Sequence, residues 1–161
     1  MPLNAAGMVR AKVFAASVAS VRFTHVFSSH TTRARQMVEP AAAQRGLPVV
    51  QLPGPGRLLN GVLIDDRVSS REAIQPLVTA LRQLPAGSRA LVGVNSDNIY
   101  AILYGLGTPV AGSDGRCALG STCVPCLTNQ CFKGVDQLWV LVIDTASPMP
   151  TLIELRYGVA D

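Results

Sequence analysis

Apolar and polar residues follow two rhythms along this chain, one at helical spacing and one in short, nearly unbroken runs. Behind Asn4, Val9, Val13 and Ala16 recur at helical intervals and predict a helix to about Ala19, with the asparagine as its cap. Gly7 inside it costs about 1 kcal/mol against alanine. Val21 to Phe27, rich in β-branched and aromatic residues, predicts a strand. Thr32 to Gln44 predicts a helix that stops at Gly46 ahead of Pro48, and Pro48 to Leu52 a short strand. The turn cluster Pro53-Gly54-Pro55-Gly56 opens a loop to about Ser69. Ser69 with Glu72 fits a capping box for a helix carrying Ile74, Leu77, Val78, Leu81 and Leu84, which Pro76 is expected to bend. Arg89 to Val94 predicts a strand and Asp97 to Leu106 a helix. Residues 107–135 read as a loop, and Gln137 to Ile143 and Thr151 to Tyr157 as two closing strands.

Helices alternating with short apolar strands predict the α/β class, as a three-layer α/β/α sandwich on a mostly parallel sheet. At 161 residues the chain fits a single domain, residues 1–161, with a cysteine-rich loop at about 112–135. In such sheets ligands bind beyond the carboxyl ends of the strands. Two of those ends are polar: Ser28-Ser29-His30 and Asn95-Ser96-Asp97.

Composition narrows the function classes. With 48% apolar and 15% charged residues the chain is expected to fold rather than stay disordered. No apolar run approaches the roughly 18 residues of a membrane span. The net charge of +4 comes from dispersed arginines with few aromatics, which is not the footprint of a nucleic-acid binder. Any anion preference then has to come from one local site. Residues 1–10 lack the basic-then-apolar order of a signal peptide, so the chain as given reads as cytoplasmic.

Arg33 is the first candidate for such a site. A guanidinium in the first turn of a helix adds bidentate donors to an already positive helix N-terminus. The competing reading is a solvated surface arginine, as expected of Arg35. Asn95 and Ser96 open the other polar turn, where an asparagine can donate a hydrogen bond but cannot titrate. There the competing reading is a helix cap, with Asp97 or Asn95 satisfying the first amides.

Three segments carry a resemblance. Leu91 to Leu103, a strand, a polar turn and an apolar helix start, lines up without a gap with the second catalytic segment of the histidine phosphatase superfamily, the phosphoglycerate-mutase-like proteins. Phe27 to Gln36 resembles that family's serine, phosphate-gripping arginine four residues later, and Ala-x-Gln. Pro2 to Gly7 resembles its "P-L-[ST]-x-x-G" segment. The resemblance covers nearly the whole chain and implies the phosphoglycerate-mutase-like fold, with Ser29 as turn serine, Arg33 as phosphate arginine and Ser96 beside the ligand. It places Asn95 where the family has its second catalytic histidine. The family's leading Arg-His-Gly strand, which bears the phosphorylated histidine, has no counterpart after Met1. The resemblance implies that this segment lies upstream, and that its neighbours in the sheet are left unpaired. His30, at the polar strand end beside Arg33, is the remaining candidate nucleophile, at a position that varies in the family. His25, inside an apolar strand, reads as a core or face residue. Asp65 and Asp66 fall in the region of the family's acid, and the competing reading is ordinary loop residues.

Cys117, Cys123, Cys126 and Cys131 follow the spacing C-x5-C-x2-C-x4-C. Two disulfides stapling a loop with little core of its own, a zinc site, and reduced thiols all fit. Disulfides imply an oxidising compartment, periplasmic or secreted, with the signal upstream of Met1.

The function expected from these residues is a histidine-phosphatase-like protein that holds a small phosphorylated or anionic ligand but is inactive or strongly impaired as this chain stands. An alternative is an active phosphomonoester hydrolase whose phosphohistidine lies upstream of Met1. A second alternative is a non-catalytic binding module built on the cysteine loop. No organic cofactor is expected.

Overall fold

A computed structural model describes residues 2–52, 57–59, 62–64, 71–108, 123–125, 130–132, 137–144, 147 and 150–157. The elements are α1 (Ala5–Ser17), β1 (His25–Ser28), α2 (Thr32–Ala43), β2 (Val49–Gln51), β3 (Arg57–Leu59), β4 (Val62–Ile64), α3 (Arg71–Arg82), β5 (Ala90–Gly93), α4 (Ser96–Gly105), β6 (Cys123–Pro125), β7 (Gln130–Phe132), β8 (Gln137–Val142) and β9 (Thr151–Arg156).

The centre is a parallel sheet in the order β2-β1-β5. Val26 stands opposite Val49 on one side and Leu91 on the other; Ser28 stands between Gln51 and Gly93. Alternation along these strands divides the core. Val26 and Leu91 pack with Phe14, Ala15 and Val18 from α1 and its end, and with Val38, Ala41 and Ala42 of α2. Phe27, with Ala90 and Val92 at the rim, packs with Ile74, Leu77 and Val78 of α3 and Ala101 and Ile102 of α4. The result is the expected layering: α1 and α2 on one face, the sheet, and α3 and α4 on the other. It is an α/β architecture consistent with the phosphoglycerate-mutase-like fold.

Helix ends follow the sequence rules. Asn4 Oδ1 accepts from the Gly7 amide at 2.9 Å and caps α1. We expect Asn4→Ala to lower stability by about 1 kcal/mol, as measured by urea denaturation. After α2 the chain turns through Gly46 at φ +63, and the Leu47 amide bonds Ala42 O at 3.0 Å. Arg45 reaches back to Ala19 O. Pro40 lies within α2 and Pro76 within α3.

Several expectations are corrected. The strand expected from Val21 begins only at His25. Residues 21–23 are spent in turns that leave α1, with the Val21 amide on Val18 O and the Phe23 amide on Val21 O. The Thr24 amide bonds Arg89 O just before the ladder starts. The loop expected to run to Ser69 contains the antiparallel pair β3–β4, and the cysteine-bearing loop contains the antiparallel pair β6–β7. Three residues per strand are too few to register as periodicity. Ser69, Asp65 and Asp66 lie outside the described residues.

Among the described residues β8 and β9 form an antiparallel pair that is not hydrogen-bonded to the central sheet. Leu138 and Tyr157 anchor it to the α1–α2 core, where the Tyr157 ring meets Phe14 edge-on with centroids 4.9 Å apart. Its register puts Leu138, Val140 and Val142 on one face with Ile153 and Leu155, of which Val142, Ile153 and Leu155 are exposed. Among the described residues β5 is hydrogen-bonded to β1 alone.

Candidate functional site

The carboxyl ends of β1 and β5 lie side by side, so the two polar turns are neighbours. The ladder ends at Ser28 opposite Gly93, and the Ser29 amide extends it by donating to Gly93 O at 2.9 Å. Each strand leads directly into a helix: β1 through Ser29-His30-Thr31 into α2, and β5 through Val94-Asn95 into α4. Both helices therefore present their N-termini at the same end of the sheet. Each such end carries a partial positive charge of roughly +0.5.

Thr31 caps α2, its Oγ1 accepting from the Ala34 amide at 3.3 Å. The same hydroxyl donates to Asn95 Oδ1 at 3.3 Å, tying the two helix starts together. Asn95 occupies the cap position of α4 but makes no side-chain cap bond, so the expectation that it satisfies the first amides is corrected. Its oxygen is turned to Thr31 instead. The Asn98 amide is taken by Asn95 O at 2.9 Å. The amides of Ser96 and Asp97 precede the first possible intrahelical bond.

The β1 turn is held from outside. Gln51, at the end of β2, donates its Nε2 to His30 O at 2.9 Å and to Ser29 O at 3.3 Å, and the Leu52 amide bonds Ser28 O at 3.1 Å. Carbonyls that would otherwise face the turn are thereby occupied. Gln36 Oε1 accepts from the Leu3 amide at 2.7 Å and fastens the start of the chain to α2.

Inside this frame three polar atoms are enclosed without a partner among the described residues: Ser28 Oγ, Ser29 Oγ and Arg33 Nε. Ser28 is 0% and Ser29 3% exposed, so both hydroxyls are withdrawn from bulk solvent. Leaving such a group unpaired costs about 1–3 kcal/mol. Arg33 is the second residue of α2 and half-buried. Arg35, in contrast, forms an exposed ion pair with Glu39 at 2.7 Å, as a surface arginine should.

The sequence candidates thus separate. Ser29 and Asn95 lie in the two adjacent turns, and Arg33 and the backbone of Ser96 in the first turns of the helices that follow them. His30 lies in the first turn, half-buried. His25 begins β1, at the opposite end of that strand from Ser28; its Nδ1 lies 2.8 Å from Thr24 Oγ1 and its ring stacks on Phe27 at 6.2 Å. Cys123 and Cys131 stand opposite Phe132 and Val124 rather than opposite each other. Cys117 and Cys126 lie outside the described residues. No group of three or more metal-ligating side chains occurs among the described residues, and no helix among them is long and apolar enough to cross a membrane.

Sequence reasoning missed Thr31, Gln51 and Gly93. A threonine just before a helix is a cap signal, and a glycine ending an apolar strand signals close backbone approach. Nothing local marks Gln51.

The family model described as histidine phosphatase superfamily (branch 1) matches residues 1–54. That span runs from the start of the chain through α1, β1, α2 and β2 and contains Ser29, His30 and Arg33. A search of curated proteins returns no match.

Proposed function

We propose, from the match of residues 1–54 to the histidine phosphatase superfamily model, that this chain holds a small phosphate-like oxyanion at the joined ends of β1 and β5. In this reading it does not turn over phosphomonoesters through a histidine of its own. The observation that carries the reading is a set of enclosed polar atoms with no partner among the described residues, Ser28 Oγ, Ser29 Oγ and Arg33 Nε, at the end of β1 and the start of α2. A bound oxyanion supplies the acceptors that Ser29 Oγ and Arg33 Nε do not find among the described residues. Two adjacent helix N-termini favour negative charge at the same place. Arg33 grips the anion as a fork, Ser29 and the Ser96 amide donate to it, and Asn95 donates from the side. Asp97, the second residue of α4, brings an opposing formal charge. The expected affinity for inorganic phosphate is correspondingly weak, with a Kd on the order of 1 mM.

Chemistry is expected to fail for want of a nucleophile and a titratable partner. Asn95 cannot carry charge into the transition state, and loss of a covalent nucleophile costs several orders of magnitude in rate. Calorimetry with inorganic phosphate, paired with an assay on an aryl phosphate, tests this directly. Saturable phosphate binding with no turnover above background is the expected result; turnover abolished by His30→Ala would overturn it.

A second reading is favoured by β5 pairing with β1 alone and by β8–β9 forming a sheet of its own, among the described residues. In it the phosphohistidine lies upstream of Met1, on a strand that pairs with β5, giving an active hydrolase. The cysteines add a separate element of the proposal: two disulfides stapling the loop, with zinc as the alternative, the former placing the protein in an oxidising compartment. Thiol titration under denaturing conditions, with and without reductant, separates the two.

A further inference from the structure

We infer that Thr31 is a positioning residue that locks the Asn95 amide with its oxygen inward, leaving the two N–H donors as the only groups Asn95 can offer a ligand. The ligand side of this inference rests on the oxyanion reading above; the orientation itself does not.

The starting point is a cap residue that does not cap. Asn95 has φ −78 and ψ 155, the extended conformation from which a cap asparagine normally turns its oxygen back onto the second or third amide of its helix. It makes no such bond. The oxygen instead meets Thr31 Oγ1, a residue 64 positions earlier in the chain.

The proton count sets the direction of that contact. A hydroxyl has one proton and two lone pairs, whereas a side-chain amide has a donor end and an acceptor end. The Ala34 amide already uses one lone pair of Thr31 Oγ1. Thr31 is 2% exposed, so its proton needs a protein acceptor or carries the penalty of an unmade buried bond. Asn95 Oδ1 is that acceptor. Turning the amide over would set Nδ2 against Oγ1 and strand the hydroxyl proton. The cap bond to Ala34 and the bond to Asn95 therefore enforce one another.

The consequence is chemical. An asparagine is ambivalent toward an anion: its oxygen repels and its nitrogen attracts. With the oxygen committed to Thr31, Asn95 meets an oxyanion as a donor only. The same commitment leaves the Asp97 amide without a side-chain acceptor from its own cap residue, so it too can serve the ligand. At 3.3 Å the Thr31–Asn95 contact is longer than the usual 2.7–2.8 Å of an O–H···O bond. It therefore orients the amide more than it stabilises the fold.

The test uses the full chain, 15N-labelled, with inorganic phosphate as the probe. The Asn95 side-chain NH2 pair is assigned by its loss in Asn95→Asp. In Thr31→Val this pair is expected to move toward the position of a solvated asparagine, and in Thr31→Ser to stay. Phosphate Kd should rise about three- to tenfold in Thr31→Val and stay within about twofold in Thr31→Ser. Valine also removes the α2 cap, so Thr31→Gly serves as the second variant, because glycine caps within a few tenths of a kcal/mol of threonine. It should reproduce the shift and the loss of affinity, and the loss should vanish in an Asn95→Ala background. An Asn95 pair unmoved in both variants overturns the inference, as does an equal affinity loss in the Asn95→Ala background. If the pair moves while the wild-type chain shows no response to phosphate, the oxyanion reading falls and the positioning role of Thr31 stands.

Discussion

Replacing Gly93 with alanine is expected to destabilise the protein by about 3 kcal/mol or more, at the upper end of the cost of overpacking. A Cβ at position 93 would stand 2.3 Å from Ala34 O and 2.9 Å from Val38 Cγ1. The first of these is backbone, in the first turn of α2, and cannot swing aside as a flexible side chain would. Relief requires α2 to lift away from β5, which opens the core around Val38, Ala41 and Leu91. For a chain of this size the loss corresponds to a fall in Tm of about 6–12 °C. Gly46→Ala is the natural control. Gly46 sits at φ +63 with nothing within 4 Å of a Cβ, so only its left-handed backbone is penalised, at roughly 1–2 kcal/mol. A thermal melt in which Gly93→Ala is no worse than Gly46→Ala would mean that the helix does not approach the strand this closely. The site should suffer with the fold, because Arg33 and Ala34 are neighbours in the first turn of α2.

The second large effect concerns Arg33. Arg33→Ala is expected to weaken inorganic phosphate binding about ten- to hundredfold, the range for losing hydrogen bonds from a charged group. Stability should change by less than about 1 kcal/mol, because the enclosed Nε has no partner among the described residues to lose. A fall in affinity without a fall in stability separates a ligand-binding arginine from a structural one. Arg33→Lys should recover part of the affinity, since charge is kept while the bidentate fork is lost. Arg35→Ala is the control on the same helix. Its ion pair with Glu39 is exposed at both ends and should matter little to either quantity. Calorimetric titrations of the three variants, run beside urea melts, decide the assignment. Equal losses for Arg33→Ala and Arg35→Ala would point to a diffuse electrostatic effect rather than a site.

Much of this fold could be read from the chain because its helices announce their ends. Asn4 and Gly46 mark boundaries by local chemistry, and α1, α2 and α4 begin and end within about two residues of the expected positions. The start of β1 could not be read in this way. Val21 and Phe23 have strand character, but the ladder begins only where Thr24 and His25 meet Arg89, a contact set by tertiary structure. β3, β4, β6 and β7 are too short for alternation to distinguish them from loop. Among site residues, Ser29, Arg33 and Asn95 stand out by type and position beside strand ends. Thr31 and Gln51 do not, because their roles exist only once β1, β2 and β5 lie side by side. That juxtaposition also changes the meaning of Asn95. The sequence offers it as a helix cap, and the resemblance as a counterpart of a histidine; in the fold its oxygen is turned from the cap to Thr31.

The central claim is that the joined ends of β1 and β5 form one oxyanion site, and amide mapping tests it most directly. Inorganic phosphate titrated into the 15N-labelled chain should shift the backbone amides of Ser29, Arg33, Ser96 and Asp97 together with the Asn95 side-chain pair, along one saturable curve. Sulfate should compete for it. Shifts confined to other parts of the chain, or a linear response that never saturates, would contradict the account.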